Sequence, residues 1–223
     1  VTGNRKDTIG DRRAFIAANT RPLPVPHAPE ISLYLADEVT PLWLKTEEEL
    51  GEMGLPPPFW AFAWAGGQAL ARYILDHPEH VAGRRVLDFA SGSGLVAIAA
   101  MKAGAAQALA ADIDEFAVEA IRLNADLNGV AIEPSGENVL GRHDCPADIV
   151  LAGDIFYDRE ISAEVLTWLK GWRERGATIL VGDPGRTYLP RDELSLLATY
   201  QVPVSRDLED LEIKKTSVWT LKG

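Results

Sequence analysis

Val86-Leu87-Asp88-Phe89-Ala90-Ser91-Gly92-Ser93-Gly94-Leu95 decides the fold of this chain. A short apolar run, Arg85 to Ala90, reads as a buried strand. It enters a turn with two glycines, and an apolar helix, Gly94 to Gly104, follows. Glycine there reaches positive φ and lets a ligand approach the backbone. The unpaired N–H groups of the helix start face the same space. The spacing Gly92-x-Gly94-x-x-Ala97 also fits a dinucleotide fingerprint, a weak signal alone. Two acids refine it. Asp88, at the strand end, would repel a diphosphate and attract an ammonium group. Asp112 ends the next strand and can accept both hydroxyls of a ribose. The ligand is therefore expected to join a ribose to a cationic, not polyphosphate, part. The competing structural reading has Asp88 capping the turn.

Outward from this turn, strands alternate with helices. Gln68 to Asp76 is expected to be helical, and Gln107 to Ala111 is a strand. Glu115 to Asn128 is a helix, with Asp114 as its N-cap and Gly129 as its stop. Further strands are expected at Ala131 to Glu133, Asp148 to Ala152 and Ala177 to Val181, with a helix over Ile161 to Trp172. Tyr200 to Val204 and Ile213 to Leu221 close the chain as two strands without an intervening helix, hence an antiparallel pair. This order predicts an α/β fold, a mostly parallel, doubly wound sheet covered on both faces. Before Phe59 the pattern differs. A short helix over Thr8 to Asn19 precedes the extended, proline-alternating Arg21 to Pro26. Ile31 to Leu35 and Thr40 to Leu44 read as short strands, and Pro56-Pro57-Pro58 as a rigid join. Residues 1–56 are thus expected to be an extension packed on a catalytic domain of residues 57–223.

The 223 residues are 47% apolar, enough for one sizeable core and too apolar for disorder. A net charge of −11 argues against a nucleic-acid-binding face, which needs clustered Lys and Arg. It suits a cationic ligand or a lysine-bearing substrate, or serves solubility alone. No apolar run is long enough to cross a bilayer, and the mixed charges Arg5, Lys6, Asp7 and Asp11 do not suit a signal or transit peptide. The single Cys145 fits a reducing compartment, so a cytoplasmic place is expected, and the chain is expected to be a monomer. His27, His77, His80 and His143 share no ligand spacing, and no metal is expected.

Phe59-Trp60-Ala61-Phe62-Ala63-Trp64-Ala65-Gly66-Gly67-Gln68 places four aromatics just before a helix. Phe59 and Phe62 are expected in the core. Trp60 and Trp64 are candidates for a cofactor wall, because an indole face attracts a cation and packs on a purine. Gly153-Asp154-Ile155-Phe156-Tyr157-Asp158 leaves the fourth strand at the end of the sheet where ligands bind. Asp154 and Tyr157 are therefore candidates for the chemistry, with helix capping the plain alternative for Asp154.

From Phe59 to Gly223 the chain resembles the seven-stranded class I methyltransferases, whose first motif reads as an acid, small residues and Gly-x-Gly, as Asp88 to Gly94 do. The resemblance implies a seven-stranded sheet with an antiparallel C-terminal strand and S-adenosylmethionine as cofactor. It implies that Asp88 lies near the methionine amino group. It sets the loop Ala90, Ser91, Gly92, Ser93 and Gly94 against the cofactor. Asp112 takes the ribose with Ile113 beside it, Asn138 lies near the adenine, and Ala152 lines the same cleft. Trp64 to Tyr73 is similar to the entry segment of the electron transfer flavoprotein β-subunit lysine methyltransferases, a branch of the methyltransferase-16 group. The Asp-x-x-Tyr spacing of Asp154 and Tyr157 resembles the signature of protein-lysine methyltransferases in that group. Enzymes that methylate bases or glutamine carry Asn/Asp-Pro-Pro-aromatic there, and Ile155-Phe156 lacks the prolines. The implied substrate is a protein with an exposed lysine, the electron transfer flavoprotein β-subunit first, a ribosomal protein or small amine second. Asp154 and Tyr157 would orient that amine.

Overall fold

The computed structural model describes residues 11–36, 51, 57–204 and 213–222. Two strands form a hairpin, β1 (Arg21–Val25) and β2 (Ala28–Leu35). Seven more form one sheet: β3 (Arg85–Phe89), β4 (Gln107–Ala111), β5 (Glu133–Ser135), β6 (Ile149–Gly153), β7 (Thr178–Asp183), β8 (Leu194–Pro203) and β9 (Ile213–Leu221). Their order is β5-β4-β3-β6-β7-β9-β8, all pairings parallel except the two made by β9. The chain winds outward from β3 in one direction and then from β6 in the other. The crevice between the carboxyl ends of β3 and β6 is therefore the switch point where such sheets bind ligands.

Among the described residues the strands are accompanied by the helices α1 (Arg12–Asn19), α2 (Ala65–Asp76), α3 (Leu95–Lys102), α4 (Glu115–Asn128) and α5 (Arg159–Glu174). α2, α3 and the hairpin bury Leu70, Ile74, Ile98, Ile31 and Leu33 against one face of the sheet. α5 covers the other with Val165, Trp168, Leu169 and Trp172, while Ile161 at its start is 44% exposed. Asp114 caps α4 by accepting from Phe116 N at 2.8 Å, and Gly129 ends it at φ 65°. Asp158 caps α5 in the same way through Glu160 N and Ile161 N.

The N-terminal hairpin is held by two asparagines of α4. Asn128 exchanges hydrogen bonds with Ser32 N and O, and Asn124 accepts from Tyr34 N at 2.8 Å. Asn124 also donates to Ser93 O at 2.8 Å, so one buried side chain ties the hairpin to the glycine loop. Gln68, equally buried, accepts from His27 N and donates to Ala63 O, linking hairpin to α2.

Several boundaries differ from the sequence reading. The third strand lies at Glu133–Ser135, because pairing with Leu109–Ala111 fixes it. As an edge strand it tolerates Pro134, which carries no N–H. β8 begins at Leu194, well before Tyr200, and pairs along its length with β9 around an irregularity between Leu196 and Ala198. That irregularity breaks the alternation by which a strand is recognised. α2 starts at Ala65 despite Gly66 and Gly67, for reasons of packing given below. Thr8 to Gly10, Thr40 to Leu44 and Pro56 lie outside the described residues. Among the described residues no helix is long and apolar enough to cross a membrane.

Candidate active site

Four glycines bring the site together. A Cβ on Gly66 would lie 2.6 Å from Asp154 Oδ2 and closer still to Gly182 O, and a Cβ on Gly182 would fall well under 3.0 Å from Gly66 O. A Cβ on Gly153 would meet Gly67 at 3.0 Å. Only hydrogen-sized side chains allow the N-terminus of α2 to rest on the ends of β6 and β7. The local cost of two glycines in a helix, about 1 kcal/mol each, is overridden by that contact.

At the end of β3, Asp88 turns back beneath the loop. Its Oδ2 accepts from Ser91 Oγ at 2.5 Å and from Ala97 N at 3.0 Å, and the residue is 1% exposed. Among the described residues the Asp88 carboxylate meets the loop and the first turn of α3. Helix starts leave N–H groups without partners, and a carboxylate one strand back supplies one. Burial, reinforced by the charge of Asp112, pushes its carboxyl up to about 7. When ionised it still places negative charge under the loop, so a diphosphate remains disfavoured.

Asp112 reaches the loop from β4. Its Oδ2 accepts from Gly92 N at 2.8 Å and its Oδ1 from Asp114 N at 3.0 Å. Each carboxylate oxygen has a second acceptor position, so two hydroxyls can still be bound. Beside it Ile113 is 73% exposed, an apolar side chain held out where a flat ring would cover it. A Cβ on Gly92 would have only Trp60 Cα nearby, at 3.9 Å, so the face of the loop is open. These features fit a nucleoside. Gly92 and Gly94 adopt φ 55° and 81°, and Ala90 also adopts φ 51°. The left-handed region costs a residue with a Cβ roughly 1 kcal/mol. Ala90→Gly is therefore expected to raise stability by about 0.5–1 kcal/mol in chemical denaturation.

Asp154 is the second residue with a Cβ at positive φ, 57°, and stands at the end of β6. Strained residues concentrate where function fixes the backbone. Its Oδ2 accepts from Gly67 N at 2.9 Å, supplying the first turn of α2 with the cap that Trp64 does not. Its Oδ1 is 3.0 Å from Arg186 Nη2, and its side chain is 11% exposed. Arg186 also lies over the Trp64 ring at 5.9 Å. Asp183, at the end of β7, accepts from Gly185 N and Arg186 N at 2.6 and 2.7 Å and so shapes the turn that carries the arginine. Arg186 and Asp183 are absent from the sequence reading. The one signal for them is the position of Asp183-Pro184-Gly185-Arg186 at the carboxyl end of a strand next to β6.

An aromatic rim borders Asp154. Tyr157 is 59% exposed and its ring lies 6.4 Å from that of Phe59, which in turn meets Trp64 edge-on at 6.0 Å. Trp64 donates from Nε1 to Phe59 O at 2.9 Å. The expected core place of Phe59 is corrected, since it is 52% exposed. Trp60 takes that place instead, buried and stacked on Phe116 at 6.2 Å, because the 3-10 turn Phe59–Ala61 rotates it inward. One face of the Trp60 ring is thus covered by Phe116. Phe62 is buried as expected. Ala152 is fully buried, in the cluster that holds Ile155, Phe156 and Trp168. Asn138 is exposed, and its Oδ1 accepts from Leu140 N at 3.0 Å in a local turn.

Asp88, Asp112, Asp114 and Asp183 share one property. Burial raises the carboxyl of Asp112, and raises Asp114 and Asp183 to about 6. A group whose folded-state value lies above its unfolded one stabilises the fold at low pH and loses that contribution as pH rises through the folded value. The ligand-free protein is accordingly expected to lose thermal stability from about pH 5 to pH 7, by roughly 5 °C or more. Calorimetric scans across that range check it, and a cationic ligand should flatten the slope.

A family model described as ribosomal protein L11 methyltransferase matches residues 69–158, from α2 to the Asp154–Asp158 turn. Electron transfer flavoprotein beta subunit lysine methyltransferase of Xenopus laevis is 38% identical over 216 residues, 94% of this chain and 87% of that protein. The chain belongs to the electron transfer flavoprotein β-subunit lysine methyltransferases. The Danio rerio member of the family is 39% identical over 86% of this chain and 75% of its own length. The human member is 40% identical over 73% and 64%. Among solved structures, the ribosomal protein L11 methylase of Lactobacillus delbrueckii subsp. bulgaricus superposes with a TM-score of 0.51 at 21% identity, over 73% of this chain and 81% of that one. The 16S rRNA N2 G1207 methyltransferase of T. thermophilus, in complex with AdoMet and guanosine, gives 0.54 at 16% identity, over 72% and 43%. Both share the fold of the family.

Proposed function

We propose that this protein transfers methyl groups from S-adenosylmethionine to lysine side chains of the electron transfer flavoprotein β-subunit. The observation that carries the reading is the pairing of two sites across the switch point. An open glycine loop ends β3, and a carboxylate with an aromatic rim ends its neighbour β6. The ribosomal-protein match covers residues 69–158 and stops before β7 to β9.

In this reading Asp112 accepts the ribose hydroxyls, Ile113 covers the adenine, and the loop Ala90 to Gly94 faces the amino-acid part. When bound, the sulfonium supplies an electrophilic methyl and its sulfur keeps the electron pair of the broken bond. The protein must align the amine and present its free lone pair. A lysine in water, with pKa about 10.4, is nearly all protonated at pH 7. Phe59, Tyr157 and Trp64 line the entry with apolar surface, which disfavours the charged form. Asp154 and Tyr157 accept hydrogen bonds from the amine and orient it. The test is to incubate purified electron transfer flavoprotein β-subunit with enzyme and S-adenosylmethionine and map modified peptides by mass spectrometry. Methylated lysine is expected. An unmodified subunit, with S-adenosylmethionine bound normally, contradicts the assignment.

A further inference from the structure

Asp154 poses an electrostatic problem for methyl transfer. A bare carboxylate attracts lysine but holds it as an ammonium ion, which has no lone pair to form the nitrogen–carbon bond. The structure sets a guanidinium on that carboxylate. Arg186 Nη2 is 3.0 Å from Asp154 Oδ1, and the opposite oxygen is fixed by Gly67 N at 2.9 Å. The arginine is itself held by its backbone N–H on Asp183 Oδ1 and by the Trp64 face under its guanidinium. Asp154 and Trp64, which the guanidinium meets, belong to the candidate amine site.

Resting on the lysine-methylation reading, we propose that Arg186 is a positioning residue. It fixes the Asp154 carboxylate and offsets its charge, so that the target lysine is held by hydrogen bonds and stays free to lose its proton. Among the described residues, the charged and titratable groups placed around Asp154 include Arg186 and Asp183 from the end of β7, Tyr157 from the turn after β6, and Arg191, whose guanidinium lies against Gly185 in the same loop. α2 contributes the Gly67 N–H. Asp183 opposes Arg186: its Oδ2 is buried without a hydrogen-bond partner, and its charge acts on Asp154. The two side chains therefore push the amine in opposite directions. Removing Arg186 favours the ammonium ion, and neutralising Asp183 favours the amine.

The test is the pH dependence of kcat for methylation of the electron transfer flavoprotein β-subunit, whose acid limb reports proton loss from the bound amine. In Arg186→Gln the midpoint is expected to move up by about one pH unit, giving roughly tenfold slower turnover at pH 7 that recovers toward pH 9–10. Arg186→Lys, which keeps the charge, should hold the wild-type midpoint. Asp183→Asn, which keeps the acceptor for Gly185 N and Arg186 N, should move the midpoint down. S-adenosylhomocysteine affinity should be unchanged in all three, which establishes that they are folded. An equal loss at every pH in Arg186→Gln, or a midpoint shift of the same sign in Asp183→Asn, overturns the proposal while leaving lysine methylation intact. A wild-type enzyme that methylates no lysine overturns both.

Discussion

Asp154→Ala is expected to lower turnover by about a thousandfold while S-adenosylmethionine affinity stays within a few-fold of wild type. The reason is the division of labour across the switch point. The cofactor loop hangs from β3 and β4, through Asp88, Asp112 and Gly92. Asp154 stands on β6, with partners on α2 and β7. In the proposed reaction Asp154 orients the amine, and misplacing a reacting group by about 1 Å already costs roughly a hundredfold. Alanine also strips a partner from the Gly67 N–H, and an unpaired buried N–H costs roughly 1–3 kcal/mol. Asp154→Asn separates the two effects. Its side-chain oxygen can still accept from Gly67 N, and asparagine tolerates the φ of 57° at this position. The asparagine variant should therefore be nearly as stable as wild type and still slow. Steady-state kinetics and calorimetric titration on both variants measure this. Full activity in either one removes Asp154 from the chemistry.

Gly182→Ala is expected to cost at least about 3 kcal/mol, or to prevent folding. The added Cβ would meet the backbone carbonyl of Gly66, which no rotamer change can move, and Leu70 Cβ at 2.8 Å. Overpacking against flexible side chains costs about 1–3 kcal/mol, and a backbone neighbour is stiffer. For a chain of this size that is roughly 10 °C in Tm. Gly136→Ala is the comparison. Its Cβ would find only Val118 Cγ2, at an ordinary 3.8 Å, and its effect should stay within about 0.5 kcal/mol. Any Gly182→Ala protein that does fold should show weakened activity, because the Gly66–Gly182 contact seats the Gly67 N–H on Asp154.

Much of this architecture can be read from residues alone. The bounds of β4, α4 and β9 follow from apolar period and from the caps Asp114 and Gly129, which are local features. The strand–glycine turn–helix and the acid after the next strand place the cofactor loop for the same reason. Side-chain direction at strand ends is not local. Asp88 sits where the strand period stops, so nothing in its neighbourhood tells whether the carboxylate faces a ligand or folds back to Ser91 and Ala97 N. Phe59 is exposed and Trp60 buried because a three-residue 3-10 turn sets which of two adjacent rings meets Phe116. Arg186 is 32 residues from Asp154 and carries no motif. It reaches the site only because β6 and β7 pair with Gly153 opposite Gly182.

The central claim is that the crevice between β3 and β6 holds a sulfonium nucleoside and not a dinucleotide. Calorimetric titration of the purified protein with S-adenosylhomocysteine and, separately, with NAD tests it most directly. The account predicts saturable binding of S-adenosylhomocysteine, weakened at least about tenfold by Asp112→Ala through loss of the ribose hydrogen bonds, and no heat from NAD. Binding of NAD with none of S-adenosylhomocysteine would contradict it.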